Sequence, residues 1–251
     1  MSLSRISTYG VTMKPGPRFS EDPSAYQINA PLFEEPRVSD TWRVFRILSE
    51  FVEGFETLST VNRAVTIFGS ARMKPQDPHY DDAMRIGRLL GDEGFAVITG
   101  GGPGVMEAAN RGASESRSAS VGINIELPHE QSPNEFQDIS VDFRYFFVRK
   151  VMFVKYALGF ILMPGGFGTL DEMFEMLTLI QTRKVKQVPV LLYSRPYWEG
   201  LQRWMRTTLV PRGMIDAEDL EICTIVDTPE EVLDFFRKWY PQVNPQKNGK
   251  I

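Results

Sequence analysis

The sequence predicts an α/β chain, a Rossmann-like doubly wound parallel sheet flanked by helices, and three observations predict it. Short, nearly continuous apolar runs alternate with helical stretches across residues 61–240. Several of those runs end in small or glycine-rich residues that lead directly into a helix. A composition of 42% hydrophobic and 24% charged residues over 251 positions supplies the core such a sheet needs.

Taken in order, residues 1–38 carry prolines at 15, 17, 23, 31 and 36 with little periodicity, and read as an extended or disordered N-terminal arm. Residues 39–60 open on Ser39 and Asp40 as caps and repeat Trp42, Phe45, Leu48, Val52 and Phe55 at helical spacing. They read as an amphipathic helix whose aromatic stripe is expected to pack rather than to bind a ligand. The sheet domain, 61–240, then begins. "AVTIFGS" is a strand and "YDDAMRIGRLLGDEG" its helix; "FAVITGGGPG" and "VMEAANRGASES" repeat the unit. "ASVGINIEL" and "DISVDF" are the third and fourth strands, and "YFFVRKVMFVKYAL" is helical. "GFILMPGG" leads into the helical "TLDEMFEMLTLIQTRK", and "QVPVLLYS" into "YWEGLQRWMRTTLV". "EICTIVD" is the last strand and "TPEEVLDFFRKWY" the last helix, with Thr228 capping it and Pro229 at its first position. Residues 241–251 read as a tail.

Bulk properties exclude several classes. A formal net charge of −4 gives no reason to expect nucleic acid or an anionic membrane as partner. With Cys223 the single cysteine, no intramolecular disulfide can form, and its place in "EICTIV" makes it a buried strand residue. A reducing, cytoplasmic setting is expected, since neither a secretory apolar region nor a stretch of ~20 apolar residues occurs. His79 and His129, read as loop residues beside prolines, are too few for a His-rich metal centre or a Cys/His zinc site. Neither a metal nor a cofactor is expected.

Candidate chemistry gathers at three strand ends: Phe68-Gly69-Ser70, Thr99-Gly100-Gly101-Gly102 and Met163-Pro164-Gly165-Gly166. Glycine lets backbone approach a ligand, and the following helix turns N–H groups toward an anion, so a phosphate-bearing ligand is indicated. A P-loop is excluded, because neither glycine turn continues to Gly-Lys-Ser/Thr. "GGGPGV" lacks the third glycine of a dinucleotide fingerprint, although Glu126 at the next strand end keeps that reading open. In "PGGFGTLDE", Asp171 and Glu172 fall in the first helical turn. They are either ordinary acids favoured by the helix dipole or a carboxylate placed beside a sugar whose phosphate the loop holds. Arg149 and Lys150 lie on an otherwise apolar helix and need anionic partners if buried.

"PGGFGTLDE" matches the P-G-G-x-G-T-x-x-E signature of the LOG (Lonely Guy) family of cytokinin riboside 5′-monophosphate phosphoribohydrolases, formerly labelled possible lysine decarboxylases. "GSAR", "GGGPGVMEAAN" and the Arg-Lys pair follow in the family's order, over residues 61–230, and the N-terminal extension resembles the longer bacterial members. The resemblance implies hydrolysis of a nucleoside 5′-monophosphate, a cytokinin riboside 5′-monophosphate or AMP, to free base and ribose 5-phosphate. It makes Glu172 the catalytic carboxylate and Arg149 its cationic partner. It places Ser70, Gly100, Gly101, Gly102, Glu130, Lys150, Gly165, Gly166, Phe167, Gly168, Thr169 and Thr178 against substrate or phosphate. Met152 comes one position before the family's usual methionine, Phe153 takes that site, and Phe167 replaces a frequent tyrosine. These departures bear on the base pocket rather than on the reaction. The resemblance also implies a homodimer whose partner completes each site, with hexamers among the longer members. The competing reading is a non-catalytic nucleotide- or cofactor-binding Rossmann-like protein, since fold alone does not separate the two. A lysine decarboxylase would need a pyridoxal phosphate lysine, and nothing in the sequence singles one out. A structural or interaction role, carried by the arm and the aromatic helix, is the third reading.

Overall fold

The computed structural model describes residues 40–127 and 132–243. The arm over 1–38 and Glu130 lie outside the described residues. Seven strands, β1 (Ala64–Phe68), β2 (Ala96–Thr99), β3 (Ser120–Ile125), β4 (Ile139–Phe143), β5 (Ala157–Leu162), β6 (Val190–Tyr193) and β7 (Cys223–Val226), form one sheet in the order β4-β3-β2-β1-β5-β6-β7. Every neighbouring pair is parallel. The chain steps outward from β1 to β4, then returns to β5 on the other side of β1, so the strand order reverses between β1 and β5. Ligands of such sheets sit beyond the carboxyl ends at that reversal.

Among the described residues seven α-helices flank the sheet: α1 (Asp40–Leu58), α2 (Pro78–Asp92), α3 (Val105–Ser114), α4 (Phe146–Tyr156), α5 (Phe167–Gln181), α6 (Arg195–Trp204) and α7 (Pro229–Val243). β1, β2 and β6 are buried along their whole length, which is why they read as continuous apolar runs. Alternate residues feed two core layers. Val65, Ile67, Val97 and Ile161 meet α2, α3 and α7 through Ile86, Leu90, Val105, Val232 and Phe236. Phe68, Ile98, Phe160 and Leu162 meet α1, α4, α5 and α6 through Leu58, Met152, Met173 and Trp198. Each such side chain contributes roughly 1.5–3 kcal/mol of burial. Cys223 is buried at the start of β7, as read from the sequence.

Residues Val44–Ile251 make one compact unit; of the preceding unit, Met1–Arg43, the described part is Asp40–Arg43. Among the described residues no helix is long and apolar enough to cross a membrane.

The structure corrects the sequence reading at several places: the α1 stripe Trp42, Phe45, Leu48, Val52 and Phe55 is exposed, and Ile47, Phe51 and Leu58 meet the core instead. His79 is not a loop residue: α2 starts at Pro78, because the Asp77 side chain accepts the His79 N–H at 2.9 Å and proline suits the first helical position. α4 passes into β5 with no intervening loop, since Ala157 pairs with Ala64 of β1 and the sheet claims it. α5 starts at Phe167, with Gly166 as its cap residue accepting the Leu170 N–H at 3.0 Å. Asp171 and Glu172 therefore leave the first helical turn, which holds no acid, and the dipole explanation for them falls away. α7 continues through Pro241 to Val243.

Candidate active site

A cleft of about 640 Å³ opens at the carboxyl ends of β1 and β5, where the strand order reverses. One wall is the turn after β1, with Ser70 and Arg72; another is the start of α5, from Gly166 to Glu172. Gly100 and Met106 close one side, and Phe146, Arg149 and Phe153 of α4 another.

The position of α4 is set from outside the helix. The Glu50 carboxylate on α1 accepts N–H groups from Arg144 and Tyr145 at 3.2–3.3 Å, capping a helix start whose own cap residue offers no side-chain bond. Arg149 is then fixed by two backbone carbonyls: Nε donates to Ile123 at 2.8 Å and Nη2 to Gly100 at 3.1 Å. Its guanidinium lies 5.1 Å from the Phe153 ring centre. Burial pushes Arg149 down to about 10, with Glu172 opposing that fall, so it stays cationic at neutral pH. The result is a cation fixed beside β3 and the end of β2 that lines the cleft.

Two acids line the cleft; Asp171 is exposed and Glu172 is the shielded one. Burial pushes its carboxyl up to about 7; Lys150 and Arg149 oppose the rise, while Glu175 and Asp171 add to it. A carboxyl that titrates near neutrality suits proton transfer at working pH. Lys150 stands behind it, 2.7 Å from Glu175 Oε2, 2.8 Å from Asp171 Oδ2 and 3.8 Å from Glu172 Oε1. Burial alone would lower the Lys150 ammonium, but hydrogen bonds to Asp171 and Glu175 raise it on balance.

The glycine turns divide into two kinds. The turn before α5 is pinned from three directions. Pro164 O accepts the Ser70 N–H at 3.1 Å, Gly165 O accepts the Tyr197 hydroxyl, and the buried Thr169 hydroxyl occupies the space a Gly165 side chain would need. Gly166 and Gly168 face open space. The Gly100–Gly102 turn is instead tied into a buried amide network. Gly101, at φ +72°, donates to Thr99 Oγ1 at 2.9 Å. The Asn134 side chain donates to Gly101 O and Gly102 O at 3.0 Å each, and Gln137 donates to Gly101 O at 2.9 Å. Asn110 links Thr99 to Ser120 beneath.

Of the residues singled out in the sequence, Ser70, Gly100, Arg149, Gly166, Phe167, Gly168, Thr169 and Glu172 line the cleft together. Gly165 shapes the turn, and Gly101 and Gly102 belong to the amide network. Lys150 pairs with protein carboxylates. Thr178 stands apart: it lines a smaller groove of about 120 Å³ with Phe174, Leu177 and Met205, and its hydroxyl donates to Phe174 O at 2.7 Å. Sequence reasoning missed the side chains that hold the turns, Tyr197, Asn110, Asn134 and Gln137. Arg72, in "GSAR", also lines the cleft. Arg72 follows Ser70 by two positions, and that spacing was the available signal. Asn110 lies in "GGGPGVMEAAN", on the helix that follows the turn, whereas nothing local marks Asn134, Gln137 and Tyr197, which reach the turns from distant elements.

A family model described as "Possible lysine decarboxylase" matches residues 106–236, more than half of the chain. The chain belongs to that family, the LOG family. This LOG family member is 25% identical over 185 residues to the cytokinin riboside 5′-monophosphate phosphoribohydrolase LOG3 of Arabidopsis thaliana, covering 71% of this chain and 84% of that one. It is 29% identical over 192 residues to a bifunctional cytokinin biosynthesis protein of Fusarium pseudograminearum, covering 68% of this chain. The chain spans only 39% of the length of that fungal protein. Among solved structures, the molybdenum cofactor carrier protein of Chlamydomonas reinhardtii superposes with a TM-score of 0.52 at 16% identity, over 71% of this chain and 98% of that chain, and so shares the fold.

Proposed function

We propose that this LOG family member hydrolyses the N-glycosidic bond of a nucleoside 5′-monophosphate, AMP or an N6-modified AMP, to free base and ribose 5-phosphate. The observation that carries the reading is one cleft holding Glu172 and the fixed cation Arg149 in front of the α5 N-terminus. α5 is a 15-residue helix whose first N–H groups have no intrahelical partner, which suits the 5′-phosphate. Ser70 and Thr169 flank that end of the cleft. With the phosphate there, the ribose reaches toward Glu172, one turn further along α5. Water bonds to C1′ as the C1′–N bond breaks and its electron pair leaves with the base. Glu172, ionised, takes the proton from water and faces the developing oxocarbenium charge; the proton then passes to the base. Arg149 steadies the negative charge on the departing base or on the phosphate. Phe146, Phe153 and Phe167 supply the apolar surface against which the base lies. The names of the Arabidopsis and Fusarium relatives support the substrate class. A second copy of the chain docks on α4, whose Phe146 borders the cleft.

The purified protein is incubated with AMP and, in parallel, with N6-isopentenyl-AMP, and free base and ribose 5-phosphate are followed by chromatography. Base release by wild type that Glu172→Gln abolishes supports the proposal, and the ratio of the two rates names the preferred base. Binding of both nucleotides with no release by wild type overturns it in favour of a carrier.

A further inference from the structure

The resemblance assigns Lys150 to the substrate, yet the structure engages its charge with protein carboxylates, and Lys150 is absent from the cleft wall. An ammonium has three donors. Two of them meet Glu175 and Asp171 at 2.7 and 2.8 Å, while 3.8 Å to Glu172 is too long for a hydrogen bond. Asp171 and Glu175 are four residues apart on α5, and Glu172 and Glu175 three apart, so all three carboxylates meet the same cation. The charged groups acting on Glu172 are Arg149 and Lys150 from α4 and Asp171 and Glu175 from α5, and Arg72 lines the same cleft. Within the α4–α5 group, two cations balance Asp171 and Glu175, so ionising Glu172 leaves one negative charge in excess. Only Glu172 among these carboxylates is both shielded from solvent and open to the cleft.

Building on the hydrolase reading, we propose that Glu175 is a positioning residue: by drawing Lys150 toward itself and away from Glu172, it sets the pH range in which the catalytic carboxylate is ionised. Glu175 itself does not line the cleft and acts through Lys150. Two substitutions then have opposite consequences. Glu175→Gln keeps the side chain's shape but removes a negative charge and releases Lys150 toward Glu172, which favours ionisation. Lys150→Met leaves three carboxylates without their shared cation, which opposes it.

The test reads the pH dependence of base release from AMP in wild type, Glu175→Gln, Lys150→Met and Asp171→Asn. In parallel, the Glu172 carboxyl is titrated by NMR in protein labelled at the glutamate carboxyl carbon, the resonance being identified by its loss in Glu172→Gln. Glu175→Gln is expected to move the acid limb and the titration down by roughly half to one pH unit, below the ~1–3 units of an unscreened neighbouring charge. Lys150→Met is expected to move both up by a similar amount. Asp171→Asn follows Glu175→Gln with a smaller shift, because Asp171 is exposed. The titration needs no turnover, so an inactive wild type overturns the hydrolase reading while the charge coupling is still measured. Shifts in the same direction, or no shift, overturn the role of Glu175. Should Lys150→Met fail to fold, the isosteric Glu175→Gln decides alone: a downward shift supports the proposal and an unmoved titration overturns it.

Discussion

Burial pushes the Glu172 carboxyl from its ordinary 4.5 up to about 7, and this has consequences for stability as well as for catalysis. Between pH 4.5 and about 7 the folded protein holds a proton that the unfolded chain has already released. Folding is therefore destabilised progressively as pH rises through that window, with the full cost present above it. Glu172→Gln removes the cost. The variant is expected to be more stable than wild type at pH 8, by up to about 3 kcal/mol, and nearly equal to it below pH 4.5. Urea unfolding midpoints at the two pH values check this, and equal midpoints at pH 8 would contradict a burial-driven shift. The same variant should lose roughly 10²-fold or more in turnover, the scale of a lost general base. At this scale the sequence was informative about identity but not about state. The family resemblance singles out Glu172 and Arg149, and the structure brings both to one cleft. The protonation of Glu172, however, depends on how α4 and α5 face each other, and Lys150 looked like a substrate cation because its carboxylate partners lie on another helix.

Between elements, the turns matter through what holds them, and the two glycine turns predict different outcomes. A methyl group at Gly100 would run into Arg149 Nη2 and come within 2.8 Å of Met106 Sδ. Arg149 is tied to Gly100 O and Ile123 O, so it cannot yield without losing those bonds. Gly100→Ala is expected to lower kcat by at least roughly tenfold and to lower Tm, with cost on the scale of core overpacking, about 1–3 kcal/mol. Gly168 faces open space at the start of α5, and alanine there reduces the freedom of the unfolded chain. Gly168→Ala should leave Tm unchanged or raised by the equivalent of about 0.4–1 kcal/mol, while KM rises because the methyl intrudes where the phosphate is proposed to sit. Steady-state kinetics with thermal melts separates the two; an unchanged KM in Gly168→Ala would move the phosphate elsewhere. β1, β2 and β6 were legible because each is a buried, continuous apolar run. The start of α5 was not, since the bond that fixes the turn comes from Tyr197 on α6, and no local pattern announces it.

For the molecule as a whole, α4 presents more apolar surface than the sheet covers. Phe147 and Val151 are neighbours on one helix face, 51% and 42% exposed, and Phe174 of α5 is 39% exposed. Large apolar side chains exposed together on one helix face are candidates for an interaction site. Phe146, adjacent to Phe147, lines the cleft, so whatever docks on α4 also borders the site. A second copy of the chain is the proposed occupant, which ties assembly to activity. Light scattering should give the native protein a mass at least twice the 28.6 kDa of one chain. A Phe147→Glu, Val151→Lys double variant places charge on that face without touching the cleft wall, and is expected to run at 28.6 kDa. Base release by this monomer should fall at least roughly tenfold, as expected when positioning of the substrate is lost. A monomeric variant with full activity would mean that each chain carries a complete site, and a monomeric wild type would leave the α4 face to a different partner.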